Sequence, residues 1–166
     1  MDEKKLRKLI YAALMAALIT VGTMIIQIPT PATKGYINVG DSFIFLTAAL
    51  FGPSVGFAAG GIGSGLADFL SGYAYWSPWT FFIKGIEGFI VGIIYKKFTN
   101  IYFRIFALIL GAIWMVFGYY AAGGVLYGFK AALADVPSNI IQGVASIILG
   151  YILINLLLKI KVFSDI

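Results

Sequence analysis

Apolar runs of roughly 18 to 25 residues, long enough to cross a hydrocarbon core of about 30 Å, recur along nearly the whole chain, separated by short polar or Gly/Pro-bearing breaks. These runs predict six helices, near Leu6 to Gln27, Gly40 to Phe51, Ser54 to Ser71, Pro78 to Tyr95, Phe103 to Ala122 and Asp135 to Leu158. Pro29 to Val39, Gly72 to Ser77 and Gly123 to Ala134 then fall on one side of the membrane, with both termini, the Gly52-Pro53 turn and Lys96 to Tyr102 on the other. The second helix rises only about 18 Å at 1.5 Å per residue, short of a full crossing. Either it begins earlier, near Tyr36, or GYINVGD dips into the membrane packed against protein, where irregular backbone is tolerated.

Composition agrees with this pattern. A chain that is 61% hydrophobic and 11% charged has too little polar surface to coat a water-soluble globule. A single all-α integral membrane domain over residues 1–166 is expected, with no separate soluble domain. The first run follows MDEKKLRK without a small-residue cleavage site, so a retained helix is expected rather than a removable signal peptide.

Charge gives direction. Lys4, Lys5, Arg7, Lys8, Lys96, Lys97, Arg104, Lys159 and Lys161 gather on the termini side, against Lys34 and Lys130 opposite. The positive-inside rule then makes both termini cytoplasmic and turns the three longer loops outward. The net charge of +5, a hint of nucleic acid in a soluble protein, is better explained by this placement. With no cysteine and no histidine, the chain lacks thiolate and imidazole metal ligands, disulfides and the usual thiol nucleophile, and no metal site is expected.

Ionisable residues inside spans are costly and mark functional regions. Asp41 opens the second helix, Asp68 sits about one turn from the outer end of the third, and Lys84 and Glu87 lie two to three turns into the fourth. Asp135, Asn139 and Gln142 stack on one face of the sixth, and Asn38 precedes Asp41. Inner halves carry little comparable beyond Asn155. This predicts a polar cavity open outward and closed below. The plainer alternative is that these groups pair to hold the bundle together, with Lys84 beside Glu87 and within reach of Asp68.

Aromatics crowd the same side: Tyr73, Tyr75, Trp76 and Trp79 in and just after the outer loop Gly72 to Ser77, Tyr36 in the first loop, and Tyr119 and Tyr120 at the end of the fifth helix. Flat substrates stack on such rings, although Trp and Tyr also collect at membrane interfaces without any ligand role. Trp76 and Trp79 are the preferred stacking candidates. No residue is assigned a catalytic role. The candidate ligand contacts are Asn38, Asp41, Asp68, Tyr73, Trp76, Trp79, Lys84, Glu87, Tyr119, Asn139 and Gln142.

Small residues define a second surface. Ala12 with Ala16, and Ala13 with Ala17, make overlapping AxxxA pairs on the first helix, where another helix can approach closely. Gly56, Gly60 and Ser64 repeat that spacing on the third helix, with Gly88 and Gly92 on the fourth, some of them for internal packing. No G-x-x-x-x-G-K-[ST] loop is present, and the glycines at 60, 61, 63 and 65 lie within a span, so a phosphate or dinucleotide reading fails on context.

The stretch from Gly35 to Gly92, and INVGD, ALFGP, GGIGSGLAD and FFIKGIEG within it, resembles the substrate-binding S components of energy-coupling factor (ECF) transporters. The likeness is greatest to the group named for riboflavin and hydroxymethylpyrimidine transport and covers about residues 5 to 160. It implies a six-helix bundle in a prokaryotic plasma membrane with a vitamin pocket beneath the first loop and among the fourth to sixth helices. It also implies partners: a transmembrane T component and two ATP-binding cassette ATPases, which would bind the ATP, with Ala12 and Ala16 or Ala13 and Ala17 as the contact. No cofactor is implied for the chain itself. The fold does not choose the vitamin. A flat heteroaromatic is favoured, pyridoxine or hydroxymethylpyrimidine before riboflavin, with pantothenate needing a clearer use for Lys84. Two other classes stay open: a small independent carrier or channel, which would need polar lining through the inner half, and a membrane-embedded enzyme using Lys84, Glu87 and Asp68.

Overall fold

Residues 3–159 are described in the structure, a computed structural model. In chain order they form α1 (Glu3–Ile25), β1 (Gln27–Thr30), β2 (Gly35–Asn38), α2 (Gly40–Phe51), α3 (Pro53–Leu70), α4 (Ser77–Lys97), α5 (Ile101–Tyr127) and α6 (Phe129–Leu157). Lys5–Ile25, Ser77–Lys97, Ile101–Tyr127 and Phe129–Leu157 are long and apolar enough to cross a membrane. Their outer faces expose Leu14, Phe82, Phe117, Ile141 and Ile152, a distribution stable only where lipid covers it. Lys161, counted in the charge map, lies outside the described residues.

Glycine decides how closely the central helices approach. A Cβ at Gly60 would stand 2.7 Å from the Lys84 carbonyl oxygen, one at Gly56 2.8 Å from that of Gly88, and one at Gly92 2.6 Å from the Pro53 backbone. α3 and α4 therefore run with their backbones touching, as small-residue interfaces allow. Gly63 does the same against the Ala16 carbonyl of α1, at 2.6 Å. The glycine spacing on the third and fourth helices thus serves packing within the chain.

The short α2 is surrounded by α1, α3, α4 and α6. Its Ile44 and Phe45 are fully buried, and Phe45 joins Val91, Leu108, Ala112 and Ile154 in the main apolar core. The helix does not reach back to Tyr36. Residues 35–38 instead form β2, antiparallel to β1 in the register Gln27↔Asn38, Ile28↔Ile37, Pro29↔Tyr36 and Thr30↔Gly35. A four-residue strand interrupted by proline, Gln27–Thr30, carries too weak a pattern to separate from a loop.

The expected outer loop from Gly123 to Ala134 is also different. α5 continues to Tyr127 and α6 begins at Phe129, with Gly128 alone between them at φ 88°. Only glycine adopts that left-handed conformation at little cost, so one residue makes the turn. Gly123 and Gly124, which read as breakers, are helical. A Cβ at Gly123 would meet that of Ala132 at 3.2 Å, and one at Gly124 would collide with the Phe129 ring.

Candidate functional site

At the end of the bundle covered by the β1–β2 hairpin, polar side chains from the hairpin and five helices converge on one cavity. Thr30, Thr33, Tyr36 and Asn38 come from the hairpin region, Ser64 and Asp68 from α3, and Thr80 and Lys84 from α4. Tyr119 of α5 and Asp135 and Asn139 of α6 close the far wall, with Trp76 before α4 and Thr23 of α1. The cavity encloses about 540 Å³ counting its mouth, room for a small molecule.

Polar bonds bind the hairpin to its surroundings. Tyr36 donates its hydroxyl to Asp68 Oδ1 at 2.6 Å, and Thr33 donates to Asp135 Oδ2. The Asn38 backbone N–H donates to Gln142 Oε1 at 2.9 Å, and Tyr75 donates to the Lys34 carbonyl at 3.0 Å. Burial and the neighbouring Asp68 carboxylate push the Tyr36 hydroxyl well above its ordinary range, so it remains a proton donor.

The floor is a buried charge cluster. Lys84 is ion-paired with Asp41 and lies 3.3 Å from Glu87 Oε2, all three side chains being at most 1% exposed. Gln142 Nε2 donates to the second Asp41 oxygen at 2.8 Å. Above this layer Lys84 Nζ sits 5.3 Å from the Tyr119 ring centre, and Thr80 and Tyr119 share a hydrogen bond of 3.2 Å. Trp76 stands edge-on to Tyr119 at 5.7 Å. Lys84 is thus largely neutralised from below while still bordering the cavity.

Of the residues singled out from sequence, Asn38, Asp68, Trp76, Lys84, Tyr119 and Asn139 line the cavity. Asp41, Glu87 and Gln142 stand one layer beneath, supporting Lys84 and the hairpin. Tyr73 is outside the lining and packs on Tyr36, ring centres 4.7 Å apart. Trp79 points away and is 39% exposed, because it shares the outer face of α4 with Phe82 while Trp76, Thr80 and Lys84 share the inner one. The pairing of Asp68 with Lys84 is replaced by Asp68 with Tyr36 and Lys84 with Asp41.

Several lining residues carried no distinct signal in the sequence. Thr23, Thr30, Thr33, Ser64 and Thr80 are hydroxyl residues, which within helices often bond their own backbone, as Thr20 and Thr47 do here. Asp135 was legible as the top of the α6 stripe, but its partner Thr33 lies 102 residues away.

An apolar helix bundle that encloses a hairpin-roofed polar cavity above a closed apolar core has the layout of a membrane-embedded binding component. The family model described as "ECF-type riboflavin transporter, S component" matches residues 3–159, and the chain belongs to that family. Among its relatives, an uncharacterised protein of Pyrococcus woesei is 49% identical over 132 residues, covering 80% of this chain and 88% of its own length. The thiamine precursor transporter HmpT of Lactococcus lactis is 30% identical over 158 residues, 95% of this chain and 89% of its own. The chain is a transporter component rather than an enzyme, a multi-pass protein of a prokaryotic plasma membrane.

Proposed function

We propose that this chain is the substrate-binding subunit of an ECF-type importer, capturing a small heteroaromatic vitamin or vitamin precursor from outside the cell. Hydroxymethylpyrimidine or pyridoxine is favoured over riboflavin. The observation that carries this reading is the cavity beneath the hairpin, polar on its walls, bordered by Trp76 and Tyr119. A relative that is a thiamine precursor transporter supports the pyrimidine.

Six crossings with cytoplasmic termini put the hairpin outside. In support, Arg7, Lys8 and Lys96 surround the Gly52-Pro53 turn, at the end of the bundle remote from the cavity. Family membership supports association with a T component and two ATPases, which would supply the energy. Ala13 and Ala17 are exposed on α1, whereas Ala16 is 8% exposed against α3 and Ala12 is half-buried. The outward pair is therefore the better partner surface.

The carrier or channel alternative meets Phe45, Val91, Leu108 and Ile154, fully buried and apolar, directly below the charge cluster. Pantothenate would bring a carboxylate to a lysine already held by Asp41 and Glu87. Mass spectrometry of small molecules copurifying with the solubilised protein tests the substrate, and a vitamin or precursor is expected. Uptake by the chain alone in proteoliposomes, without T component and ATPases, would sink the subunit reading.

A further inference from the structure

Most polar atoms facing the cavity are already engaged. Tyr36 OH, Thr33 Oγ1, Thr80 Oγ1, Tyr119 OH and Lys84 Nζ each have a partner within the protein. Two wall groups keep a buried oxygen that makes no well-formed hydrogen bond among the described residues, Asp68 Oδ2 and Thr23 Oγ1, although the Thr80 hydroxyl also stands against the Asp68 carboxylate. Asp68 is 4% exposed and Thr23 2%, so neither atom is satisfied by bulk water. An unpaired buried acceptor is costly, and at a cavity wall a ligand can complete it.

The two atoms differ in what they select. A threonine hydroxyl donates or accepts and so discriminates little. A carboxylate oxygen only accepts, and its charge doubles the strength of the bond it receives while repelling another anion. Tyr36 holds the other oxygen of the same carboxylate at 2.6 Å, which fixes the orientation of Oδ2. Charge across the site points the same way. Asp68 and Asp135 both border the cavity, and Lys84, the only lysine bordering it among the described residues, is shared between two carboxylates below.

Resting on the vitamin-binding reading above, we infer that Asp68 is the specificity-determining residue of the site, its free carboxylate oxygen accepting from an N–H on the ligand ring. The ligand class is then a neutral or weakly basic heteroaromatic with an amine beside a ring nitrogen, as in an aminopyrimidine, and anionic vitamins are turned away. A remaining Lys84 N–H serves a neutral acceptor on the same ring rather than a carboxylate.

The test is calorimetric titration of the solubilised full chain with hydroxymethylpyrimidine, with its analogue carrying hydrogen in place of the ring amine, and with pyridoxine, riboflavin and pantothenate. The amine compound is expected to bind most tightly, with the deaminated analogue weaker by about 10- to 100-fold, the worth of one charge-assisted hydrogen bond. Asp68→Asn is expected to weaken the amine compound by a similar factor and to change the analogue less than about threefold. Equal affinity for the two forms in the wild-type chain, or an unchanged Asp68→Asn, overturns the assignment. Should Asp68→Asn fail to fold, the wild-type comparison of the amine compound with its deaminated analogue decides alone. Tight binding of riboflavin, pyridoxine or pantothenate with none of the pyrimidine also overturns it but leaves the vitamin-binding reading standing. Binding of none of the vitamins removes both.

Discussion

Lys84 of α4 and Asp41 at the start of α2 form an ion pair that is 1% exposed on each side, with Glu87 against the same ammonium. Removing one member of such a pair leaves an uncompensated buried charge, a loss of about 3–5 kcal/mol. Lys84→Met is therefore expected to lower the melting temperature of the solubilised protein sharply. Asp41→Asn combined with Lys84→Met should recover part of the loss. A double variant no more stable than Lys84→Met would show that the pair is not the source of the penalty.

Gly60 and Gly65 lie on the same helix but meet α4 differently. A Cβ at Gly60 falls 2.7 Å from the Lys84 carbonyl, whereas one at Gly65 reaches only ordinary contact, 3.4 Å from Ser77. Gly60→Ala is expected to cost about 1–3 kcal/mol by forcing the helices apart, and Gly65→Ala well under that. Because the displaced carbonyl belongs to Lys84, ligand affinity should fall with Gly60→Ala and hold with Gly65→Ala.

The Tyr36 hydroxyl ties the hairpin to Asp68 at 2.6 Å. Tyr36→Phe is expected to speed ligand release about tenfold or more, measured by stopped-flow Trp fluorescence, since a hydrogen bond to a charged group is worth about 1.5–3 kcal/mol. Ionisation of Tyr36 is disfavoured in the folded state, so its contribution to stability is fully present below its ordinary value of 10.0 and declines above it. Thermal stability should show no Tyr36-dependent change between about pH 7 and 9, and a loss above about pH 10 that Tyr36→Phe diminishes.

On α1 the two alanine pairs separate by exposure. Ala17→Leu alters an exposed position and is expected to leave ligand binding intact while weakening copurification with a T component and ATPases. Ala16→Leu enlarges a position that is 8% exposed against α3, and should destabilise the isolated chain. If the Ala16 variant alone lost the partners while both stayed folded, the contact face would have been assigned to the wrong pair.

Much of this protein was legible along the chain because lipid imposes a simple rule. Backbone polar groups must be satisfied within each segment, so apolar length marks the helices, and α2, α3 and α4 fall within a few residues of their expected bounds. The depth of Asp41, Asp68, Lys84 and Gln142 likewise gave a polar layer toward one end of the bundle. Trp79, preferred with Trp76 as a stacking candidate, lies instead on the exposed side of α4.

Tertiary structure alone decided the partners. Lys84 chooses Asp41, 43 residues away, over Asp68 because glycine brings α3 against α4 and α2 fits between them and α6. The hairpin roof depends on Thr33 and Asn38 meeting Asp135 and Gln142, more than a hundred positions on, contacts with no local periodicity. Helix existence is a local consequence of solvent, whereas which carboxylate is paired and which oxygen is left open at Asp68 depends on how several helices close around one space.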